Sequence, residues 1–152
     1  MKLQVNIDVP EEITMVRTFD APRRLVHQAM SQPELIKKWL GGKRATVLSA
    51  EVDLKVGGKY RYVFDRKDGG GQFAFSGVFK EISEARTVHT ESLEGTPGES
   101  LVTTTLVEKD GKTTMTVTMR FPTQEIRDFV VSTGMAEGAG ESYDFLEALL
   151  KK

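Results

Sequence analysis

Apolar residues recur along this chain with two different periods, and the switches between them mark the elements. Residues 13–19 alternate, with Ile13, Met15 or Val16, Arg17 and Phe19 in step, which suits a first strand. The preceding stretch, residues 1–12, is broken by Pro10 and reads as a loose or edge lead-in. Leu25, Val26, Ala29 and Met30 then recur at helical spacing. Asp20 ahead of Pro22 supplies a cap and a first-turn proline for this helix. Ser31 and Glu34 have the S-x-x-E capping-box spacing and open a second short helix. That helix carries Leu35, Ile36, Trp39 and Leu40, and Gly41-Gly42 ends it.

From residue 45 the period becomes two. Strands are predicted at 45–54, 59–65, 72–82, 86–93, 100–108 and 112–121. Turns fall at Val56-Gly57-Gly58, at residues 67–71, at residues 95–98 and at Lys109-Asp110-Gly111. Short turns between successive strands make an antiparallel meander, and the threonine-rich strands 100–108 and 112–121 fit a sheet with one wet face. After Phe121-Pro122, Thr123 caps a short helix to about Thr133, Gly134 breaks it, and a longer helix runs from about Met135 to Leu150. The expected class is α+β, one domain over residues 1–152 with its core at about 13–150.

The last helix is amphipathic. Met135, Gly138, Ala139, Ser142, Leu146, Leu149 and Leu150 share one side, with Tyr143 and Phe145 at its edges. The small residues in its first half admit either close backbone approach or empty space. Strand alternation groups Tyr60, Tyr62 and Phe64, then Phe73, Phe75 and Phe79, then Met115, Val117, Met119 and Phe121. Such stripes facing a helix form either a solid core or an apolar pocket. Trp39, the single tryptophan, is either a core plug or a lid over that pocket. The candidate ligand-binding set is Trp39, Tyr60, Tyr62, Phe64, Phe75, His89, Met119, Phe121, Met135, Gly138, Ala139, Ser142 and Tyr143.

Composition narrows the function classes. Lys+Arg is 21 against 22 Asp+Glu, a net charge of -1, so there is no basic footprint for nucleic acid or an anionic membrane. Cysteine is absent, which removes disulfides, thiolate nucleophiles and cysteine zinc sites. No apolar run approaches the ~20 residues of a membrane helix, and the first residues lack the apolar core of a signal peptide, so a cytoplasmic location is expected. The glycines at 57–58 and 69–71 open no helix and read as turns, not phosphate cradles. Of the two histidines, His27 reads as a surface or boundary residue on the first helix. His89 lies mid-strand with Thr87 and Glu91 in step, and is the one candidate for acid–base chemistry. No metal-ligand spacing occurs.

Ordered short runs complete the picture. Arg17 to Pro22, Val26, Pro33-Glu34-Leu35 and Trp39 come first. Asp53 to Gly58, Gly77 to Ile82, Glu99 to Thr103, Arg120-Phe121-Pro122 and Thr133 to Gly138 follow. Together, over about residues 13–150, they resemble the SRPBCC (START-like, birch-pollen-allergen-like) superfamily, and within it the subfamily named for the activator of the heat-shock-protein-90 ATPase. The resemblance implies a helix-grip fold: about seven antiparallel strands curving around the long C-terminal helix, with two short helices after the first strand. It also implies an apolar cavity between sheet and helix. Where the family often has Trp-Trp and a later Trp, this chain has Trp39-Leu40 and Ala139; an inward Ala139 would widen the pocket. The implied function is binding of a small hydrophobic or aromatic molecule by a monomer or homodimer, without cofactor, rather than catalysis. The alternatives are a polyketide cyclase or dehydratase using His89, a tyrosine and Arg120 in the same cavity, and a co-chaperone-like stimulator of a partner ATPase.

Overall fold

The computed structural model describes residues 2–96 and 98–151. Its elements are β1 (Gln4–Asn6), β2 (Glu12–Phe19), α1 (Arg23–Ser31), α2 (Pro33–Trp39), β3 (Ala45–Val52) and β4 (Lys59–Arg66). They continue with β5 (Gln72–Ile82), β6 (Arg86–Leu93), β7 (Ser100–Lys109), β8 (Lys112–Arg120), α3 (Gln124–Ser132) and α4 (Met135–Leu150). One antiparallel sheet has the order β1-β2-β8-β7-β6-β5-β4-β3. The predicted strands are all present. The lead-in adds β1, a three-residue edge strand pairing Gln4 with Val16 of β2. Of the turn expected at residues 95–98, Pro97 lies outside the described residues.

Alternation decides which face is inside. In β2, Ile13, Met15, Arg17 and Phe19 are buried while their neighbours are partly exposed, so Met15, not Val16, is the inward residue. Thr113, Met115, Val117 and Met119 of β8 and Ser100, Val102, Thr104 and Leu106 of β7 continue that face. The helices cover it. α4 buries Ser142, Tyr143 and Leu146 and leaves Phe145 exposed. Arg17 reaches α4 from the sheet: its Nη2 lies 2.8 Å from Asp144 Oδ1, and its Nη1 donates to the Gly140 carbonyl at 3.4 Å.

Two expected caps are not formed. α1 starts after an extended Pro22 with no side-chain cap, so Asp20 does not serve. Ser31 is the last residue of α1, where its hydroxyl donates to the His27 carbonyl. Gln32 alone separates the two helices, and α2 starts on Pro33 without a capping box. Thr123 does cap α3, accepting from the Ile126 amide.

One small residue of α4, Ser142, serves a close approach. Gly42, in the turn after α2, sits so near α4 that an added Cβ would lie 3.0 Å from the Ser142 nitrogen. Gly138 faces Arg44, which pairs with Glu141 through two hydrogen bonds of 2.8 and 3.0 Å.

Candidate functional site

The buried apolar residues fall into two clusters. The larger joins β2, β7 and β8 to α1, α2 and α4. The smaller joins Ala45, Val47 and Phe64 at the other end of the sheet, with Phe73 and Phe75 packed on it. Tyr60 and Phe79 are buried yet belong to neither. Between the clusters, under α1, lies a cavity with about 80 Å³ of space for the centre of a water-sized molecule.

Its roof is one face of α1: His27, Met30 and Ser31, at i, i+3 and i+4. Its floor is the concave face of four strands, carrying Tyr60 and Tyr62, Phe79, His89, and Thr104 with Leu106. Leu54, Glu84 and Arg86 stand at its edge. Glu84 pairs with Arg23 at 3.2 Å and Arg86 with Glu81 at 2.9 Å.

A close approach of β5 to β6 builds the floor. Gly77 faces Tyr60 across the β4–β5 ladder, and a Cβ on it would sit 1.9 Å from the Thr90 carbonyl oxygen. Without one, the Tyr60 ring lies over the glycine and its hydroxyl donates to Thr90 O at 2.6 Å. Anchored so, Tyr60 meets Tyr62 at 5.0 Å, Phe79 at 5.4 Å and His89 edge-on at 5.2 Å. These separations suit aromatic rings in contact.

His89 and Glu91 are in step on β6 and face the same interior. His89 Nε2 is 4.0 Å from Glu91 Oε2, and His89 Nδ1 is buried without a hydrogen-bond partner. Burial pushes His89 down to about 4 and Glu91 up to about 7, so near neutral pH the imidazole is uncharged and the carboxyl is partly protonated. Glu91 keeps 26% of its side-chain surface open to a water-sized sphere. Glu91 does not itself line the cavity; it stands next to His89, which does. Burial, and secondly the charge of Glu91, holds the phenols of Tyr60, Tyr62 and Tyr143 above their ordinary range. Burial likewise lowers His27, with Glu84 opposing. Chemically, the pair can hydrogen-bond a polar ligand group or exchange a proton with it.

Of the expected lining residues, Tyr60, Tyr62 and His89 are on the cavity wall. Phe64 and Phe75 belong to the smaller cluster, and Met119, Phe121 and Tyr143 to the larger, against which Met135 and Ala139 pack. The space beside Ala139 is therefore not part of this cavity. Trp39 is a core plug: its Nε1 donates to the Ala29 carbonyl at 2.8 Å, and its ring stacks on Tyr143 at 5.9 Å. Ser142 stands at the close approach of Gly42, and Gly138 faces the Arg44 side chain at ordinary contact distance. Arg120 points outward to Glu12 and Glu11, away from the cavity, because it follows inward Met119 on β8. The α1 residues His27, Met30 and Ser31 were not expected; their i, i+3, i+4 spacing was the available signal.

Another groove, about 510 Å³, lies on the outer face of β4 to β6, but it is open to solvent and its Arg61 and Glu94 neutralise each other at 2.9 Å. Among the described residues no group of His, Asp and Glu could hold a metal ion, and no helix is long and apolar enough to cross a membrane.

A curved antiparallel sheet gripping a C-terminal helix, with an aromatic cavity in its concave face, defines a helix-grip protein. This chain belongs to the family of activator of Hsp90 ATPase homologue 1-like proteins, whose sequence profile matches residues 20–151. That membership agrees with the SRPBCC superfamily resemblance. Similar solved structures include a Rhodobacter sphaeroides protein, 24% identical over 99% of this chain and 98% of that one, with a TM-score of 0.90. A Nitrosomonas europaea protein is 28% identical over 95% and 97% of the two chains, with a TM-score of 0.85. An AHSA1-like protein from Aeromonas hydrophila is 19% identical over 91% and 93%, with a TM-score of 0.71. No curated protein matches the sequence.

Proposed function

We propose that the protein binds a small hydrophobic or aromatic molecule in the cavity between α1 and the concave face of the sheet. The observation that carries this reading is the gap between the two apolar clusters, walled by Tyr60, Tyr62, Phe79, Met30 and Leu106. Its roughly 80 Å³ is several times the ~10–15 Å³ that a single water needs. That is room for one aromatic ring or a short branched chain. Apolar space of this kind favours an apolar occupant, because the ligand leaves water and gains dispersion contacts on every side.

The test is an amide-shift titration with single-ring aromatics and short alcohols, together with the variant Leu54→Trp. Leu54 is 43% exposed at the cavity edge, so the larger ring should narrow the entrance without disturbing the core. Shifts at Tyr60, Tyr62, Phe79 and His89, weakened in L54W, are expected. No shifts at these residues with any compound at millimolar concentration would refute the reading.

A further inference from the structure

The wall of the cavity engages several of its own polar groups. The Tyr60 hydroxyl is held by Thr90 O, and the Ser31 hydroxyl by His27 O. His89 and Glu91 differ. Among the described residues, Glu91's carboxyl takes part in no hydrogen bond; the phenols of Tyr60, Tyr62 and Tyr143 feel its charge, and His89 Nε2 lies 4.0 Å from it. That separation is too long for a direct bond. His89 lines the cavity and Glu91 stands beside it, and the 4.0 Å between Nε2 and Oε2 leaves room for a third group that would satisfy both.

The geometry fits one atom. An oxygen placed about 2.8 Å from both Nε2 and Oε2 would see them about 90° apart, close to the spread of two hydrogen bonds on one hydroxyl. His89 Nδ1 sits in dry surroundings, which favours the imidazole proton on Nε2, beside Glu91. Nε2–H then donates to the intervening oxygen, and that oxygen's own proton goes to Glu91. A hydroxyl can both accept and donate in this way. A methyl group can do neither.

We infer that His89 on the cavity wall, with Glu91 beside it, forms a polar end to the cavity and selects a ligand that carries a hydroxyl group there. The inference rests on the cavity reading above and specifies its ligand: an apolar body, one ring in size, with one hydroxyl. An ordered water could fill the same gap, and the experiment separates the two.

Phenol and toluene have nearly the same shape and differ by hydroxyl against methyl. Dissociation constants for both are measured by amide-shift titration on the full chain. Phenol is expected to bind about tenfold more tightly than toluene, the effect of one well-placed hydrogen-bonded group. In Glu91→Leu and in His89→Phe that preference should fall to parity while toluene binding persists. Equal binding of the two to the wild type, as a permanently held water would give, overturns the inference and leaves the cavity reading standing. A phenol preference that survives E91L or H89F overturns it as well. If neither compound binds the wild type, the cavity reading fails and the inference with it. The wild-type comparison needs no variant, so it decides the matter even if a substitution impairs folding.

Discussion

Replacing Glu91 with Gln should create a pH dependence of stability that the wild-type pair conceals. Burial raises Glu91 from 4.5 to about 7 and lowers His89 from 6.5 to about 4. Between about pH 4.5 and 6.5 the folded chain therefore keeps a proton on Glu91, while the unfolded chain keeps one on His89. Both states hold one proton across the pair, so the pair adds no net slope. Singly, the groups pull in opposite directions. The folded value of Glu91 is the raised one, so its stabilisation is complete below 4.5 and is lost as pH rises through about 7. The folded value of His89 is depressed, so its stabilisation is complete above 6.5 and is lost as pH falls through about 4. Each pH unit is worth about 1.4 kcal/mol, so either group alone should move stability by about 2–3 kcal/mol across this window. E91Q, left with the histidine, should gain stability as pH rises from 4.5 to 6.5. His89→Leu, left with the carboxyl, should lose it. Urea unfolding at pH 4.5, 5.5 and 6.5, followed by fluorescence of buried Trp39, measures both. Subtracting the wild type at each pH removes the titration of remote carboxylates. If E91Q and H89L keep constant offsets from the wild type across the window, the opposed burial of the two groups is wrong.

Two further substitutions probe the frame around the site. Gly77→Ala would put a Cβ 1.9 Å from Thr90 O and 2.8 Å from the Tyr60 ring. β5 must then withdraw from β6, at a cost of about 3 kcal/mol or more; an unchanged urea midpoint would count against the close approach. Arg127→Met removes a buried guanidinium whose Nη1 donates to the carbonyls of Ile7, Val9 and Glu12 at 2.8 to 3.1 Å. Hydrogen exchange should accelerate at Phe121, whose amide donates to Glu11 O, and along β1, before the rest of the sheet responds. Unchanged protection there would mean that Arg127 does not hold this segment.

The strands were legible because each core-facing stripe runs unbroken: Ile13, Met15, Arg17 and Phe19, for example, repeat at every second residue. Tyr60, Tyr62 and His89 were legible as cavity residues for the same reason, since alternation alone turns them inward. The helical part of the site was not. His27 follows apolar Val26 and precedes Gln28, and nothing local says that α1 rather than α4 overlies the space. Small residues are likewise silent about use. Gly138 and Ser142 fit equally well beside a void or beside an approaching backbone, and the distant Gly42 decides the matter at Ser142. The caps misled for a related reason: Ser31 has the right spacing to Glu34, but α1 runs through Ser31 and uses its hydroxyl.

Irregularities of the sheet explain why the cavity lies where it does. The β3–β4 pairing slips between Val47 and Ser49, and the β5–β6 pairing slips between Phe79 and Glu81. Such slips bend a strand and increase local twist. Gly77 adds its close approach midway along β5, next to the second slip. A regular sheet would carry the larger apolar cluster continuously into the smaller. Here Tyr60, Phe79, His89 and Glu91 occupy the break instead, and the glycine that permits the approach also seats the Tyr60 ring against which His89 rests edge-on. The void and the orientation of its polar end thus depend on one stretch of backbone. A change at Gly77 should alter ligand selectivity together with stability, whereas a change at the cavity edge, such as L54W, should alter ligand binding alone.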